Sequence, residues 1–319
     1  MTGRLGFLYV NRVYIGQFME ALRYLLLSLC LGGLTVWGSE NLFWSMPSAD
    51  LTALEWGLTV VAYSIASAVA LSAVIWSGVG GWPAVFLGAA IVGYMSEGVI
   101  VGTIYQPFPP LFYLVWTPLA WHALITGGVL MGLGRAGAAL GPWRLALVWV
   151  AYGLFGAFWA QYWVSERSDL GATPGMAVYL VGCGLVVVLA HVVMDRMGSL
   201  PRPSRWVLWI APGIAAAVWV LQSVADPNPM RVVLPLILGL ILWVMWRLGD
   251  RSKPVSLGVP VPVWRHFLFL IAPVVVVLLA PLAWTQGWGT LEANWIVAVL
   301  SILGSVIWLG RLVWRAARR

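Results

Sequence analysis

The stretch SEGVIVGTIYQPFPPLFYLVWTPLAWHA, residues 96–123, places an acid and an imidazole, Glu97 and His122, inside two consecutive apolar runs. Both side chains can hold or pass a proton, the chemistry of general acid–base work and of proton relays. An ionised carboxylate in hydrocarbon is costly, so Glu97 must be protonated, paired or open to water, and His122 offers the pairing. If the two runs are antiparallel helices rising 1.5 Å per residue, Glu97 lies about 12 Å below their shared surface and His122 roughly 15–18 Å. Tyr94 then shares the Glu97 face, Thr126 shares the His122 face, and the small residues Ala90 and Gly93 let another helix approach closely. Glu97 and His122 are the candidate catalytic pair.

The neighbouring connections add candidate binding groups. SENLFWSMPSAD carries Glu40 and Asn41, and QPFPPLFY leaves Tyr105 and Gln106 above the pair. Together with Tyr94, Thr126 and Gln161, they predict an outward-facing polar cleft between the first, third and fourth runs, with Gln161 at its rim. His191 and Asp195 stand one helical turn apart and read as a pair near a helix end. His266, beside Arg265, reads as interfacial.

The elements that must hold these groups are membrane helices. Of 319 residues, 61% are hydrophobic and 9% charged, with mean hydropathy +0.91. A soluble domain is about 45–50% apolar and about 25% charged. Runs of roughly 20 apolar residues occur near 19–38, 53–77, 82–105, 110–134, 143–165, 174–196, 206–225, 230–248, 266–287 and 293–314. Gly and Pro mark most joints, among them Gly80-Gly81-Trp82-Pro83 and Asp226-Pro227-Asn228-Pro229. The expected fold is an all-α polytopic membrane protein of about ten transmembrane helices. Residues 1–18 form an interfacial segment and 19–319 one transmembrane domain, with a polar-site half (19–168) and an apolar half (174–319).

The net charge of +7 does not mark a nucleic-acid partner, because the basic residues punctuate apolar runs instead of clustering. With ten spans and the N-terminus inside, every Lys and Arg except Arg167 and Arg231 falls on the cytoplasmic side, as the positive-inside rule requires. Both termini are therefore expected in the cytoplasm, and the protein in a bacterial cytoplasmic (inner) membrane. Many of the 22 tryptophans fall near predicted helix ends, Trp37 and Trp82 among them, as in an interfacial aromatic belt.

Cys30 and Cys183 lie in apolar runs and suggest neither a disulfide framework nor a thiolate metal site. There is no HExxH, phosphate loop or paired-cysteine motif, so neither metal nor cofactor is expected.

The sequence resembles three families in part. Glu97, His122 and His191–Asp195 stand on successive spans as in the intramembrane CAAX-type proteases. The doubled glutamate of that family is missing at Ser96-Glu97-Gly98, and Pro118 replaces the Phe of its FxxxH element, which excludes it. Glu97, Gly102-Thr103, Pro107-Phe108 and Pro118-Leu119-Ala120-Trp121 stand in the order of similar elements in the carotenoid-biosynthesis membrane hydratases. Gly and Thr are inverted and the spacing is shorter, so membership does not follow. What the likeness implies is a chemistry: a lone membrane acid can protonate an alkene. Length and span number resemble the drug/metabolite transporters, but the two Pro-Leu-Ala-Trp copies, 118–121 and 281–284, do not correspond by repeat.

The sequence thus predicts a membrane-embedded enzyme or binder for a lipid or isoprenoid-like substrate, with membrane lipids as its surroundings. The alternatives are a proton-coupled transporter of a small solute and a non-catalytic subunit or assembly factor. The sequence identifies no protein partner.

Overall fold

The computed structural model describes residues 2–42, 45, 52–106, 110–159, 174–286 and 291–319. Among these, the chain is helical, with no strand beyond one isolated bridge between Ser199 and Ser256. The helices are α1 (Thr2–Val36), α2 (Ala53–Ser77), α3 (Gly81–Met95), α4 (Pro110–Val115), α5 (Gly134–Leu140), α6 (Pro142–Trp159), α7 (Pro174–Met197), α8 (Arg205–Ala225), α9 (Val233–Leu248), α10 (Val263–Phe267), α11 (Ile271–Gln286) and α12 (Leu291–Ala317). Three π-helical segments interrupt this series: π1 (Trp37–Asn41), π2 (Ser96–Ile100) and π3 (Trp116–Leu133).

Nine helical stretches among the described residues are long and apolar enough to cross a membrane. This is an all-α, multi-pass membrane protein. The expected run near 143–165 is α6, described over 18 residues and absent from those nine. Connectivity still makes α6 part of a crossing. Arg135, just before it, and Asp195, at the end of α7, bond to each other at one end of the bundle. The chain must therefore leave that end and return through α6 and α7.

The same end gathers Arg23, which donates to the Ser199 carbonyl, and the Gly78 carbonyl, which accepts from Asp250. Arg247 there donates to the Ala316 carbonyl. It is the basic end of the molecule.

Two packed regions meet along the middle. One joins α1, π3, α6, α7 and α11 around Trp37, Trp121, Trp149, Tyr152, Trp159 and Phe269. The other joins α2, α3, α9 and α12 around Phe86, Ile91, Tyr94, Leu234 and Ile241. Trp37 is thus a correction to the aromatic-belt expectation: it is fully buried, edge-on to Phe269 with ring centroids 4.8 Å apart. Trp82, Trp143, Trp206, Trp246 and Trp264 are exposed, as belt residues must be.

Candidate functional site

The site lies on the seam between these regions, where the three π-helical segments converge. A π turn bonds i to i+5, so it inserts a residue and re-aims the side chains that follow. In π3, Pro118 contributes to the change because it has no N–H to give. In π1, the Gly38 carbonyl is taken by the Trp121 indole N–H at 3.1 Å, a partner from another helix for a backbone group.

Close approach puts the key groups in reach. A Cβ on Gly93 would stand 2.6 Å from the Pro118 oxygen and 2.8 Å from the His122 Cβ, so only glycine lets α3 and π3 cross there. A Cβ on Gly38 would stand 2.3 Å from the Thr126 methyl group. These crossings bring π1, π2 and π3 onto one imidazole. His122 Nε2 lies 3.3 Å from Glu97 Oε1, and its Nδ1 lies 3.0 Å from Ser39 Oγ. Gly102, at φ +81°, turns the chain back after π2. Thr103 can then donate its hydroxyl to the second Glu97 oxygen. Glu97 is 9% exposed and His122 3%. The expected juxtaposition of this acid and this imidazole is present.

The other predicted site residues divide. Glu40 belongs to the cluster, accepting a 2.8 Å bond from Tyr63 on α2. Thr126 lies beside it against Gly38. Tyr94 turns away to donate to the Leu114 carbonyl at 2.9 Å, and the π register of the segment after it breaks the shared face expected from helical spacing. Asn41 is buried with its amide beside the Cys183 thiol on α7. Tyr105 and Gln106 line a different cavity, of about 410 Å³, with Gln222, Asn228 and Arg231. Tyr105 there donates to the Gly98 carbonyl and carries the Arg231 guanidinium 4.6 Å above its ring. Gln161 lies outside the described residues, as do 43–44, 46–51 and 107–109.

The described residues open this site in the opposite direction. A cavity of about 260 Å³ runs among α1, α2, α3 and π3 from the basic end to His122. Leu34, Ala70, Leu71, Val85, Val92 and Leu130 line it. Its polar wall groups near His122 are Thr35, Ser67 and Thr126, and Arg135 and Ser256 lie at its basic end. From Gly81 to Val92 along α3 it spans about 16 Å at 1.5 Å per residue, close to half of a hydrocarbon core about 30 Å thick.

Sequence reasoning missed Ser39 and Tyr63. Tyr63 is the one tyrosine in α2, a signal that was available. It also mispaired Asp195. That carboxylate bonds to Arg135 at 2.6 Å and to His266 at 2.7 Å, whereas the His191 ring stacks on His266, centroids 5.5 Å apart. His266 is buried within the protein at that end of the bundle.

Comparison with known proteins finds no family model, curated protein or solved structure that matches this chain.

Proposed function

We propose that this membrane protein binds a lipid or isoprenoid-like chain in the cavity beside His122 and exchanges a proton with it through His122 and Glu97. The observation that carries this reading is the shape and lining of the cavity. It is long, walled mainly by aliphatic side chains, and ends on the buried imidazole. Ligand cavities are mostly apolar with a few placed polar groups, typically about 300–1,000 Å³, and this one stands just below that range.

His122 would be the catalytic residue, because it alone of the pair lines the cavity. Glu97 would act through it, supplying or accepting the proton and fixing the ring. An acid held in hydrocarbon can protonate an alkene of an apolar chain. Its conjugate base can then take a proton from the carbon beside the cation, which restores the acid and shifts the double bond, while the exclusion of water protects the cation. The mouth between Trp82 and Arg135 suits a chain with a polar end, since indole and guanidinium both favour the headgroup level. Mass spectrometry of the molecules retained on the purified protein tests the reading. The expected result is one chain-like species in near-stoichiometric amount, and only bulk membrane lipid would count against it.

We also infer that the basic end faces the bacterial cytoplasm and that both chain ends lie there, because basic residues accumulate on that side. A reporter fused after Arg319 should be active in the cytoplasm, and one inserted between Asp226 and Pro229 active outside. Activity of the C-terminal fusion on the outer side would overturn this orientation.

A further inference from the structure

Glu97 is not the only acid bound into this cluster. Ser39, which meets His122 Nδ1 at 3.0 Å, stands near the Tyr63 hydroxyl and directly precedes Glu40 in the chain. Tyr63 donates to Glu40 Oε1 at 2.8 Å, and its ring centroid lies 6.3 Å from that of His122. Two carboxylates on different helices thus stand at the ends of one polar row, in which Glu97, His122 and Ser39 are hydrogen-bonded in turn, Tyr63 is bonded to Glu40, and Ser39 and Tyr63 face each other between the two groups. Ser39, Tyr63, Glu97 and His122 are all less than 10% exposed.

Helix packing alone does not account for such a chain. Neither carboxylate pairs with an Arg or Lys among the described residues; the basic group facing both is the His122 imidazole. Two carboxylates and one imidazole cannot all be charged cheaply in hydrocarbon, so the cluster must hold protons and share them. Each link is a group that can both accept and donate, which a relay requires and a simple clamp does not.

We propose that Ser39 and Tyr63 form a proton relay through His122 between Glu97 and Glu40, with Glu40 the second proton-holding residue of the site. The step balances as one proton moved. The Glu97 carboxyl gives its proton to His122 Nε2, and His122 Nδ1–H gives its own to Ser39 Oγ. The Ser39 hydroxyl swings toward Tyr63 and passes its proton to the Tyr63 oxygen, and Tyr63 O–H protonates the Glu40 carboxylate. Glu97 is left as a carboxylate, held by the Thr103 hydroxyl. His122 ends as the other neutral tautomer, and both hydroxyls are restored. The last transfer follows the direction in which Tyr63 already donates. Rotation of the two hydroxyls and return of the ring proton reset the path.

This inference does not depend on what fills the cavity, and its test needs no substrate. The purified protein in liposomes is moved from H2O to D2O, and the carboxylic C=O stretching bands are followed by infrared spectroscopy. Glu40→Gln and Glu97→Gln each remove one band and so assign the two. In the wild-type protein both bands should deuterate at one common rate. Tyr63→Phe keeps the ring and its packing but breaks the chain, so the two bands should then exchange at rates differing at least about tenfold. Ser39→Ala should do the same from the other side of the break. Two unrelated rates in the wild type, an unchanged common rate in Tyr63→Phe, or no protonated carboxyl at any pH would each overturn the relay. A retained lipid found alongside any of these results would leave the cavity reading intact, and the two failures are distinguishable.

Discussion

Glu97→Gln should leave the protein folded and inserted while lowering proton exchange with the bound chain by about 100-fold or more, the lower end of what a positioned acid or base contributes. Glutamine has nearly the same shape. Its amide oxygen can accept from Thr103, as the carboxylate does. Its NH2 can donate to His122 Nε2 across the 3.3 Å gap, but it has no proton to transfer. Thermal stability should stay near wild type. Glu97→Ala separates the structural contribution: it leaves one ring nitrogen of His122 without a partner and should cost about 0.6–2 kcal/mol, the range for hydrogen bonds between membrane helices. Turnover of the retained chain and the melting transition, measured on both variants, decide the matter. A Glu97→Gln protein that turns over its chain at the wild-type rate would reduce the pair to a helix clamp.

Asp195→Ala should be the most destabilising single change at the other end of the cavity, on the order of 3 kcal/mol. Asp195 accepts from Arg135, from His266 and, at 3.1 Å, from the Val261 N–H. Its removal leaves a guanidinium whose side chain is only 8% exposed without its carboxylate. It also frees the connection before α10, since Arg135 holds the Leu257 carbonyl and Asp195 holds Val261. Val255, Ser256, Leu257 and Gly258 form part of the cavity wall there. Denaturant unfolding in detergent gives the stability, and proteolysis between Asp250 and Pro262 should accelerate in parallel. A loss below about 1 kcal/mol would show that the ion pair is solvated in the membrane-bound protein.

The membrane class and the helical runs were legible in the sequence because runs of about 20 apolar residues have few other uses. Of the Glu97–His122 meeting, the similar depths of two titratable groups on consecutive antiparallel helices were legible, whereas their contact at 3.3 Å was not. Gly93 was legible as a close-approach residue, and the contact with Pro118 and His122 accounts for it.

The register around the pair was not legible. Helical spacing put Tyr94 beside Glu97, whereas the π turns begin at Ser96 and Trp116. Whether a helix widens depends on partners such as the Trp121 indole at the Gly38 carbonyl, which no local window contains. Tyr63 and Ser39 were overlooked because they lie on helices other than those of Glu97 and His122, so no helical spacing ties them to the pair. The Arg135–Asp195–His266 cluster draws on three distant segments, and the local spacing of His191 to Asp195 pointed elsewhere. The cavity could not be foreseen at all, since it is the space left between four helices.

The most direct measurement of the central claim compares retained molecules on the wild-type protein and on Ala70→Phe. Ala70 is 5% exposed and lines the cavity from α2, away from the hydrogen-bonded cluster. A phenyl group there should fill the middle of the cavity without touching Glu97. Mass spectrometry should find a chain-like lipid or isoprenoid on the wild-type protein at near-stoichiometric yield. The Ala70→Phe protein, still folded, should retain at least about tenfold less of it, equivalent to roughly 1.4 kcal/mol of binding. Equal retention by both proteins, or no specific chain on either, would contradict the account.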